Sequence, residues 1–557
     1  MVRRDLLFVL LLPLLGILGV AQGFQPHFPP VLLQPKMLRA SRMRTSATTT
    51  PVSSSASSTT SKAPAVPVHE GSGHERLLDW NKQWYPVLAV KSTDPGRAHA
   101  VQLLGKDLVV WKNTEGTWAA FDDRCPHRAA PLTEGRVEKD GSLLCAYHGW
   151  RFDSDGKCLR IPQSESGGKD EAQAAACAKV YPTQVAQGLV WVWGENGVDS
   201  GLESAVTPAP LVPELDDAEG IGSGRVTTGS IYQRDLPYSW ETFMENVLDP
   251  AHVTVSHHGV MGSRDMAAPV RLELLTPALS KAGFSLQNNS PVGDRVEGLV
   301  QFHAPTLVVI DAVKKDGSVI KLVSYNVPSR PGWSRMMFRQ VFVAPEQSAD
   351  SGAKQKKKSP EPGRFQPHKL PDWIQHVSSH LFIHQDLVFL HRQEKILASR
   401  GFYSSNYGKG VFVPAAADKG VITLRRWIKQ FASGGPVWSA GCDTAMPPRE
   451  RNRDELFNVH EQHTKTCTSC LGALKRANQY LSAAKASAVT SLTWATLRGA
   501  RAVGVSPSAS ASVLSLATAR AMLPGLVTMF ASLGAIKVLE TVRSSLKTGS
   551  YRHQDND

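Results

Sequence analysis

The chain has 557 residues, of which 42% are hydrophobic, so it is long enough for two or three domains with buried cores. Its formal net charge is +13, but residues 1–70 contribute +5 and residues 463–557 contribute +8, so the middle of the chain is neutral. A neutral body gives no basis for nucleic-acid binding. Seven scattered cysteines without an evident pairing framework argue against a small disulfide-stapled secreted protein.

The N-terminus has the composition of targeting segments. Residues 1–23 predict a signal peptide, because Arg3 and Arg4 precede an apolar run that ends in small residues. Residues 24–72 predict a transit segment, since they are rich in Ser, Thr, Ala and Pro and nearly free of acidic residues. A signal followed by a transit segment resembles the presequence of plastids bounded by additional membranes. The alternative is a secreted protein with a disordered stalk.

Residues 73–200 are predicted to form an all-β domain, because short apolar runs alternate with turn residues. Two loops between these strands contain Cys125 and His127, then Cys145 and His148. Two thiolates and two imidazoles are the ligands of a Rieske [2Fe–2S] cluster, in which two Cys hold one iron and two His the other. The alternative is a Cys2His2 zinc site, whose usual order is two cysteines before two histidines.

Residues 225–440 are predicted to form a second domain with a different metal site. Asp249, His252 and His257 form the pattern D-x2-H-x4-H. Two imidazoles and a carboxylate on one side of Fe(II) leave open positions for dioxygen and substrate. His258 is the alternative to His257, and because adjacent side chains diverge, only one of them is expected to bind.

The third iron ligand is expected to be a carboxylate, and a resemblance of the two motifs to Rieske non-haem iron oxygenases, in which the Asp of this motif does not bind iron, implies that it lies elsewhere in the chain. Asp386 is favoured because it lies in an apolar segment that reads as a helix, where an isolated Asp is costly unless it is paired or bound to metal. Glu394 is the next candidate. An Asp that caps the start of a helix is the structural alternative.

The two motifs together resemble the Rieske non-haem iron oxygenases. This resemblance implies an α+β fold, with an all-β Rieske [2Fe–2S] domain followed by a helix-grip (START-like) mononuclear iron domain. It implies a homotrimer that receives electrons from reduced ferredoxin. It also implies that His252 and His257 bind the iron. Asp249 then links a cluster histidine of one subunit to an iron histidine of the next, because the two metals of one chain are too far apart.

Residues 441–475 form a tail that contains Cys467 and Cys470 in a C-x-x-C motif. Such pairs are redox-active or half of a metal site. Without a second C-x-x-C to complete a four-cysteine zinc site, a redox dithiol with thioredoxin as a candidate partner is favoured over zinc. Two reduced bystander thiols are the remaining alternative.

This tail, with residues 389–394 and 425–427, resembles the pheophorbide a oxygenase group, which includes chlorophyllide a oxygenase, a protochlorophyllide-dependent oxygenase and an inner-envelope Rieske protein of plastids. The resemblance implies oxygen insertion into a chlorophyll-derived tetrapyrrole, first of all pheophorbide a. Chlorophyllide a and protochlorophyllide a are alternative substrates. A redox-sensing or import-associated envelope protein without turnover is an alternative function. A pure electron carrier is disfavoured, because it would need no second metal domain.

Residues 476–557 predict C-terminal helices that are candidates for membrane anchoring. Between Arg520 and Lys537 lie 16 uncharged residues, which is fewer than the roughly 20 needed to cross a bilayer. Residues 486–497 form a second, weaker candidate. We therefore expect association with the thylakoid or inner envelope membrane, with a soluble helical hairpin as the alternative.

Overall fold

The computed structural model describes residues 77–260, 262–275, 279–290, 295–345, 369–403, 406–504 and 511–553. The predicted signal and transit segments, residues 1–72, lie outside the described residues. The described chain has two sheet-containing domains followed by a pair of long helices. This order confirms the predicted α+β architecture.

The first domain consists of short antiparallel strands in three sheets, ordered β1-β11-β10, β2-β3-β4-β9 and β5-β6-β7-β8. The strands are β1 Trp84–Ala89, β2 His99–Leu103, β3 Lys106–Lys112, β4 Trp118–Asp122, β5 Arg136–Val137, β6 Leu143–Leu144, β7 Arg151–Phe152, β8 Cys158–Arg160, β9 Val180–Tyr181, β10 Thr183–Ala186 and β11 Leu189–Trp193. Both faces of β11 are buried, which explains its continuous apolar sequence. The two loops that contain the predicted cluster ligands follow β4 and β6.

Two short helices, α1 Ser200–Val206 and α2 Ala218–Ser223, lead to the second domain. Its antiparallel sheet has the order β12-β19-β18-β17-β16-β15-β14, and β13 also pairs with β19. The strands are β12 Val226–Thr228, β13 Tyr232–Leu236, β14 Leu272–Leu274, β15 Gly283–Asn288, β16 Arg295–His303, β17 Leu307–Lys314, β18 Val319–Arg330 and β19 Trp333–Val343.

A long helix packs against this sheet, as the helix-grip prediction requires. The helices of the second domain are α3 Trp240–Val247, α4 His252–Ser256, α5 Asp372–Ser399, α6 Tyr407–Gly410, α7 Lys419–Phe431 and α8 Arg453–Leu456. Ile383 and Leu387 of α5 share a core with Leu236 of β13, Phe243 of α3 and Met336 of β19. Each such buried side chain contributes about 1.5–3 kcal/mol, so this core fixes α5 against α3 and the sheet.

The C-terminal part is a helical hairpin formed by α9 Thr468–Gly504 and α10 Ala511–Ser545. The helices are antiparallel, since Lys485 pairs with Glu540 near one end and Gly525 lies against Ala495 towards the other. A side chain at Gly525 would lie 2.8 Å from Ala495 Cβ, so glycine permits this close approach. In the described chain, residues Leu516–Ser545 alone are long and apolar enough to cross a membrane by length and composition.

Candidate metal centres

Two loops of the first domain have the same hydrogen-bond pattern around Cys125 and Cys145. In each loop the cysteine N–H donates to the carbonyl five residues later, at 2.8 Å. The cysteine carbonyl accepts from the N–H four residues later, at 2.9 Å. Both loops therefore fold back on their cysteines in the same way, and each turns one histidine towards the same place.

The fourth residue after each cysteine has a left-handed backbone, with φ of +57° at Ala129 and +75° at Gly149. Glycine adopts this conformation without steric cost, whereas alanine does not. The left-handed residue reverses the chain one residue after His148 and two residues after His127. The Cys145 loop has the residue this turn favours, and the Cys125 loop forms the same turn with alanine.

The four predicted cluster ligands come together at the tips of these loops. Cys125 and Cys145 are buried, and the rings of His127 and His148 lie edge to face with centroids 4.6 Å apart. The ring of Trp150 stacks on His127 at 4.9 Å and holds its orientation. The side chains of His127 and His148 remain partly accessible at the surface.

The chemistry of these residues fits an iron–sulfur cluster. The buried Nδ1 atom of His127 has no hydrogen-bond partner among the described residues, as expected for an atom that binds metal. Burial, with the proximity of Cys145, raises the pKa of Cys125 to about 12. Thiolates at this position therefore require a positive partner, which iron supplies.

The predicted iron ligands also come together. His252 begins α4, His257 follows its last residue, and Asp386 lies in the middle of α5. Asp386 Oδ2 lies 3.1 Å from His257 Nε2 and 3.6 Å from His252 Nε2. The Nε2 atom of His257 is buried without a hydrogen-bond partner in the described chain, although the carboxylate is near. Two imidazole nitrogens and one carboxylate oxygen that converge in this way fit a facial iron site.

Neighbouring side chains orient these three groups. Asp249 Oδ2 lies 3.5 Å from Nδ1 of His252, and Gln385 Oε1 lies 3.1 Å from Nδ1 of His257. In both histidines Nε2 is thereby directed to the shared site, a common arrangement of metal-bound imidazoles. Burial raises the pKa of Asp386, but contact with the two histidines outweighs it, so the net shift is downward.

The two alternative ligands lie elsewhere. Nδ1 of His258 accepts a hydrogen bond from the backbone N–H of Arg264 at 3.0 Å, so this ring is already engaged outside the site. Glu394 accepts from the backbone N–H of Ser239 and pairs with Lys395 at 2.9 Å. Neither residue joins the cluster of His252, His257 and Asp386.

Several contributors to this site were not predicted from the sequence. Asn246 Nδ2 lies 3.3 Å from His252 Nε2 and donates to Asp386 Oδ2 at 3.3 Å. Gln385 donates to the hydroxyl of Tyr551 at 2.9 Å, and His553 Nε2 donates to the Gln385 carbonyl at 2.7 Å. Asn246 could have been noticed because it is three residues before Asp249. Nothing in the sequence places the C-terminal residues behind the iron site.

The C-x-x-C motif lies in a buried pocket of histidines. Cys467 and Cys470 are 4% and 0% exposed, and they contact His376 and His463, which the sequence did not single out. Hydrogen bonding to Cys470 and contact with both imidazoles lower the pKa of Cys467. The redox dithiol stays a prediction, and the two histidines add a feature that it did not include.

Comparison with known proteins identifies the family. A Rieske [2Fe-2S] domain model matches residues 83–182, and a pheophorbide a oxygenase model matches residues 302–402. The pheophorbide a oxygenase of Oryza sativa subsp. japonica is 35% identical over 428 residues, which cover 74% of this chain and 76% of that protein. Flavonoid 8-hydroxylase 2 of Ocimum basilicum is 33% identical over 423 residues, 72% and 75% of the two chains.

A third relative covers more of the chain at lower identity. The protochlorophyllide-dependent translocon component 52 of Arabidopsis thaliana is 27% identical over 520 residues, which cover 85% of this chain and 87% of that protein. All three relatives are described as chloroplastic. The identity to the Oryza protein, over three quarters of its length, shows that this chain belongs to the pheophorbide a oxygenase family of Rieske non-haem iron oxygenases.

Proposed function

We propose that this plastid oxidoreductase is a ferredoxin-dependent monooxygenase that inserts one oxygen atom of dioxygen into a chlorophyll-derived tetrapyrrole, most directly pheophorbide a. In this reaction a substrate C–H group becomes C–OH and the second oxygen atom leaves as water. Two electrons from the donor and two protons balance the reaction. Family membership gives the enzyme class, the [2Fe–2S] cluster and the mononuclear iron.

The convergence of His252, His257 and Asp386 is the observation that carries the proposal. Their ligand atoms all lie within 4.8 Å of one another. When bound, the iron supplies open positions for dioxygen and substrate, and the cluster supplies single electrons. We assign the iron to these three residues, and the cluster to the cysteine and histidine pairs Cys125, His127, Cys145 and His148.

The exposure of Asp249 and of the cluster loops supports contact between subunits at these positions. Tyr147, between Cys145 and His148, is 65% exposed, so the cluster edge lies at the surface. Asp249 is also partly exposed while it faces Nδ1 of His252. In the proposed homotrimer, Asp249 of one subunit accepts a hydrogen bond from a cluster histidine of the next and connects it to His252.

Exposed apolar side chains near His257 in the sequence support an apolar substrate. Val255 and Val260 flank His257 and are 53% and 42% exposed, and Met266, nine residues after His257, is also exposed. The names of the Oryza and Arabidopsis relatives support pheophorbide a and protochlorophyllide a respectively, and that of the Ocimum relative supports a flavonoid. Chlorophyllide a is a further tetrapyrrole candidate.

Three finer assignments belong to this proposal. Ferredoxin is the donor, because plastids contain it and the cluster accepts one electron at a time. The helical hairpin associates with the thylakoid or inner envelope membrane through its exposed apolar side chains. A redox role for Cys467 and Cys470, with thioredoxin as the candidate reductant, would require both sulfurs to become exposed.

The test is turnover of the reconstituted full-length mature protein. The protein is loaded anaerobically with iron, supplied with reduced ferredoxin and isotopically labelled dioxygen, and given pheophorbide a, chlorophyllide a, protochlorophyllide a or a flavone separately. We expect pheophorbide a to gain one labelled oxygen atom, as read by chromatography and mass spectrometry. The control is Asp386→Ala, which should retain the cluster signal and give no product.

Two results would overturn the proposal. Oxygenation of the flavone alone would move the substrate outside the tetrapyrroles. No product from any compound, with cluster and mononuclear iron both present, would favour the redox-sensing or import-associated alternative.

A further inference from the structure

A second group of potential metal ligands lies outside the iron and cluster sites. Cys467 and Cys470 are at the start of α9, His463 is in the π-helical turn His460–Thr464, and His376 is in the first part of α5. All four side chains are buried, and their ligand atoms lie within 4.8 Å of one another. Two cysteines and two histidines thus surround one point.

The separations between these atoms match a tetrahedral metal site. His463 Nε2 lies 3.2 Å from Cys470 Sγ, and His376 Nδ1 lies 3.4 Å and 3.5 Å from the sulfurs of Cys470 and Cys467. A tetrahedron with Zn–S of about 2.3 Å and Zn–N of about 2.1 Å has N-to-S edges of about 3.6 Å. An ion therefore fits between the four atoms after shifts of a few tenths of an ångström.

The second nitrogen of His463 is held as in many metal-bound histidines. Its Nδ1–H donates to the carbonyl of Gln233 on β13, so the lone pair of Nε2 points towards Cys470. Such a hydrogen bond fixes the tautomer and orientation of a metal-binding imidazole. His463 lies four residues before Cys467 and seven before Cys470, and residues at these spacings share one face of a helix.

We propose that His376, His463, Cys467 and Cys470 bind one zinc ion. Four protein ligands leave no open position, which is the property of a structural zinc site. The ion would join the start of α9 to α5, the helix that also carries Asp386. Ten residues of α5 separate His376 from Asp386, a distance of about 15 Å along the helix axis. The zinc would thereby fix the C-terminal hairpin to the helix that supplies an iron ligand.

The site is independent of the proposed substrate, and it accounts for the buried thiols without a redox cycle. A dithiol that thioredoxin reduces must be reachable, whereas Cys470 is fully buried. Zinc thiolates, by contrast, are commonly buried and permanently reduced. The two states are distinguishable, since one contains a metal ion and the other can form a disulfide.

The first experiment measures metal content in the purified full-length mature protein that has been grown with iron and zinc. We expect one zinc and three irons per chain by inductively coupled plasma mass spectrometry. Cys470→Ser and His463→Gln should each lose the zinc and keep the Rieske electron paramagnetic resonance signal, which shows that the protein has folded. The matched control is Cys442→Ser, because Cys442 is partly buried and lies outside the site.

The second experiment needs no substitution. Cys467 and Cys470 should resist alkylation in the native protein and react after a zinc chelator is added, without any reductant. The proposal is overturned by a protein without zinc, by zinc that both variants retain, or by a fourth iron in its place. A Cys467–Cys470 disulfide in the native protein would also overturn it and would establish the redox dithiol instead.

Discussion

Asp249 Oδ2 lies 3.5 Å from His252 Nδ1, while Asp249 Oδ1 accepts the backbone N–H of Ala251 at 2.8 Å. The second contact holds the carboxylate in place, so Asp249 orients the imidazole without reaching the atoms that converge on the iron site. Contact with Asp249 and the charge of Asp386 outweigh burial and raise the pKa of His252. These contacts support the proposed role of Asp249 as a positioning residue.

We expect Asp249→Ala to leave both metal sites loaded and to reduce product formation by about 100-fold, at the upper end of effects seen for partners of metal ligands. Iron content, the Rieske signal and ferredoxin-driven turnover are measured on the same preparation. Asp265→Ala is the control, because Asp265 is exposed on the loop after the iron histidines. Retained turnover in Asp249→Ala would rule out the bridging role, and loss of iron would make Asp249 a structural support.

The local part of the site could be predicted from the sequence, because the four cluster ligands lie within two short loops and His252 and His257 are five residues apart. Asp386 lies far along the chain, and it was found because a carboxylate in an apolar helix needs a partner. His376 was missed, since it stands alone in the sequence and only the packing of α5 brings it to the cysteines, whereas His463, four residues before Cys467, was seen but not considered as a ligand. Tyr551 reaches Gln385 only because the hairpin returns the chain to the second domain.

The left-handed residues of the two cluster loops give opposite predictions. A Cβ atom at position 149 would lie 3.2 Å from Pro162 Cγ. A residue with a side chain is also strained at the positive φ of this position. Gly149→Ala should therefore destabilise the first domain by about 1–2 kcal/mol. Ala129→Gly should be neutral or slightly stabilising, because strain at φ +57° is relieved while chain entropy is added. Thermal unfolding followed by the visible circular dichroism of the cluster measures both. Equal destabilisation by the two changes would contradict the shared turn geometry.

Arg425 pairs with two buried carboxylates, those of Glu241 and Glu245, and lies 3.9 Å from the centre of the Tyr407 ring. Removal of one member of such a group leaves buried charge without a partner. Arg425→Met is expected to cost about 3–5 kcal/mol of unfolding free energy. Arg426→Met, at the exposed neighbouring position, should cost almost nothing. Chemical denaturation of both variants measures the difference. An equal loss of unfolding free energy in the two variants would mean that any substitution in this part of α7 is destabilising, and would argue against a special role of the buried ion pairs.

The ion pairs of Arg425 with Glu241 and Glu245 also predict that the stability of the protein depends on pH. Burial raises the pKa of Glu241 to about 7 in the folded protein, although Arg425 opposes the shift, and the ordinary value is 4.5. The Glu241 carboxyl group therefore binds its proton more tightly in the folded protein than in the unfolded chain. The protonated carboxyl contributes stability at pH values below 4.5, and this contribution is lost as the pH rises from 4.5 to about 7. Without Arg425 the pKa rises further, and the deficit of Arg425→Met should be larger at about pH 8 than at about pH 5.5. A deficit that grows towards acid pH would contradict a raised pKa of Glu241 in the folded protein.

The exposed apolar side chains of α10 are expected to bind the helical hairpin to a membrane. Val527, Phe530 and Leu533 are exposed on this helix, and the segment Leu516–Ser545 is long enough to cross a bilayer despite Arg520 and Lys537. A lysine near the centre of a membrane helix costs about 2.5–3.5 kcal/mol, so the double change Val527→Lys and Phe530→Lys should abolish membrane binding.

Flotation with vesicles that contain anionic phosphatidylglycerol measures this binding. The wild-type protein should float, and so should Gln479→Lys, because Gln479 is an exposed polar residue in the part of α9 next to the second domain. The double variant should remain at the bottom of the gradient with its iron and cluster intact, since neither site contacts this face. If the wild-type protein also remains at the bottom, the apolar face of α10 does not bind lipid, and the soluble hairpin anticipated as the alternative is the better description of residues 476–557.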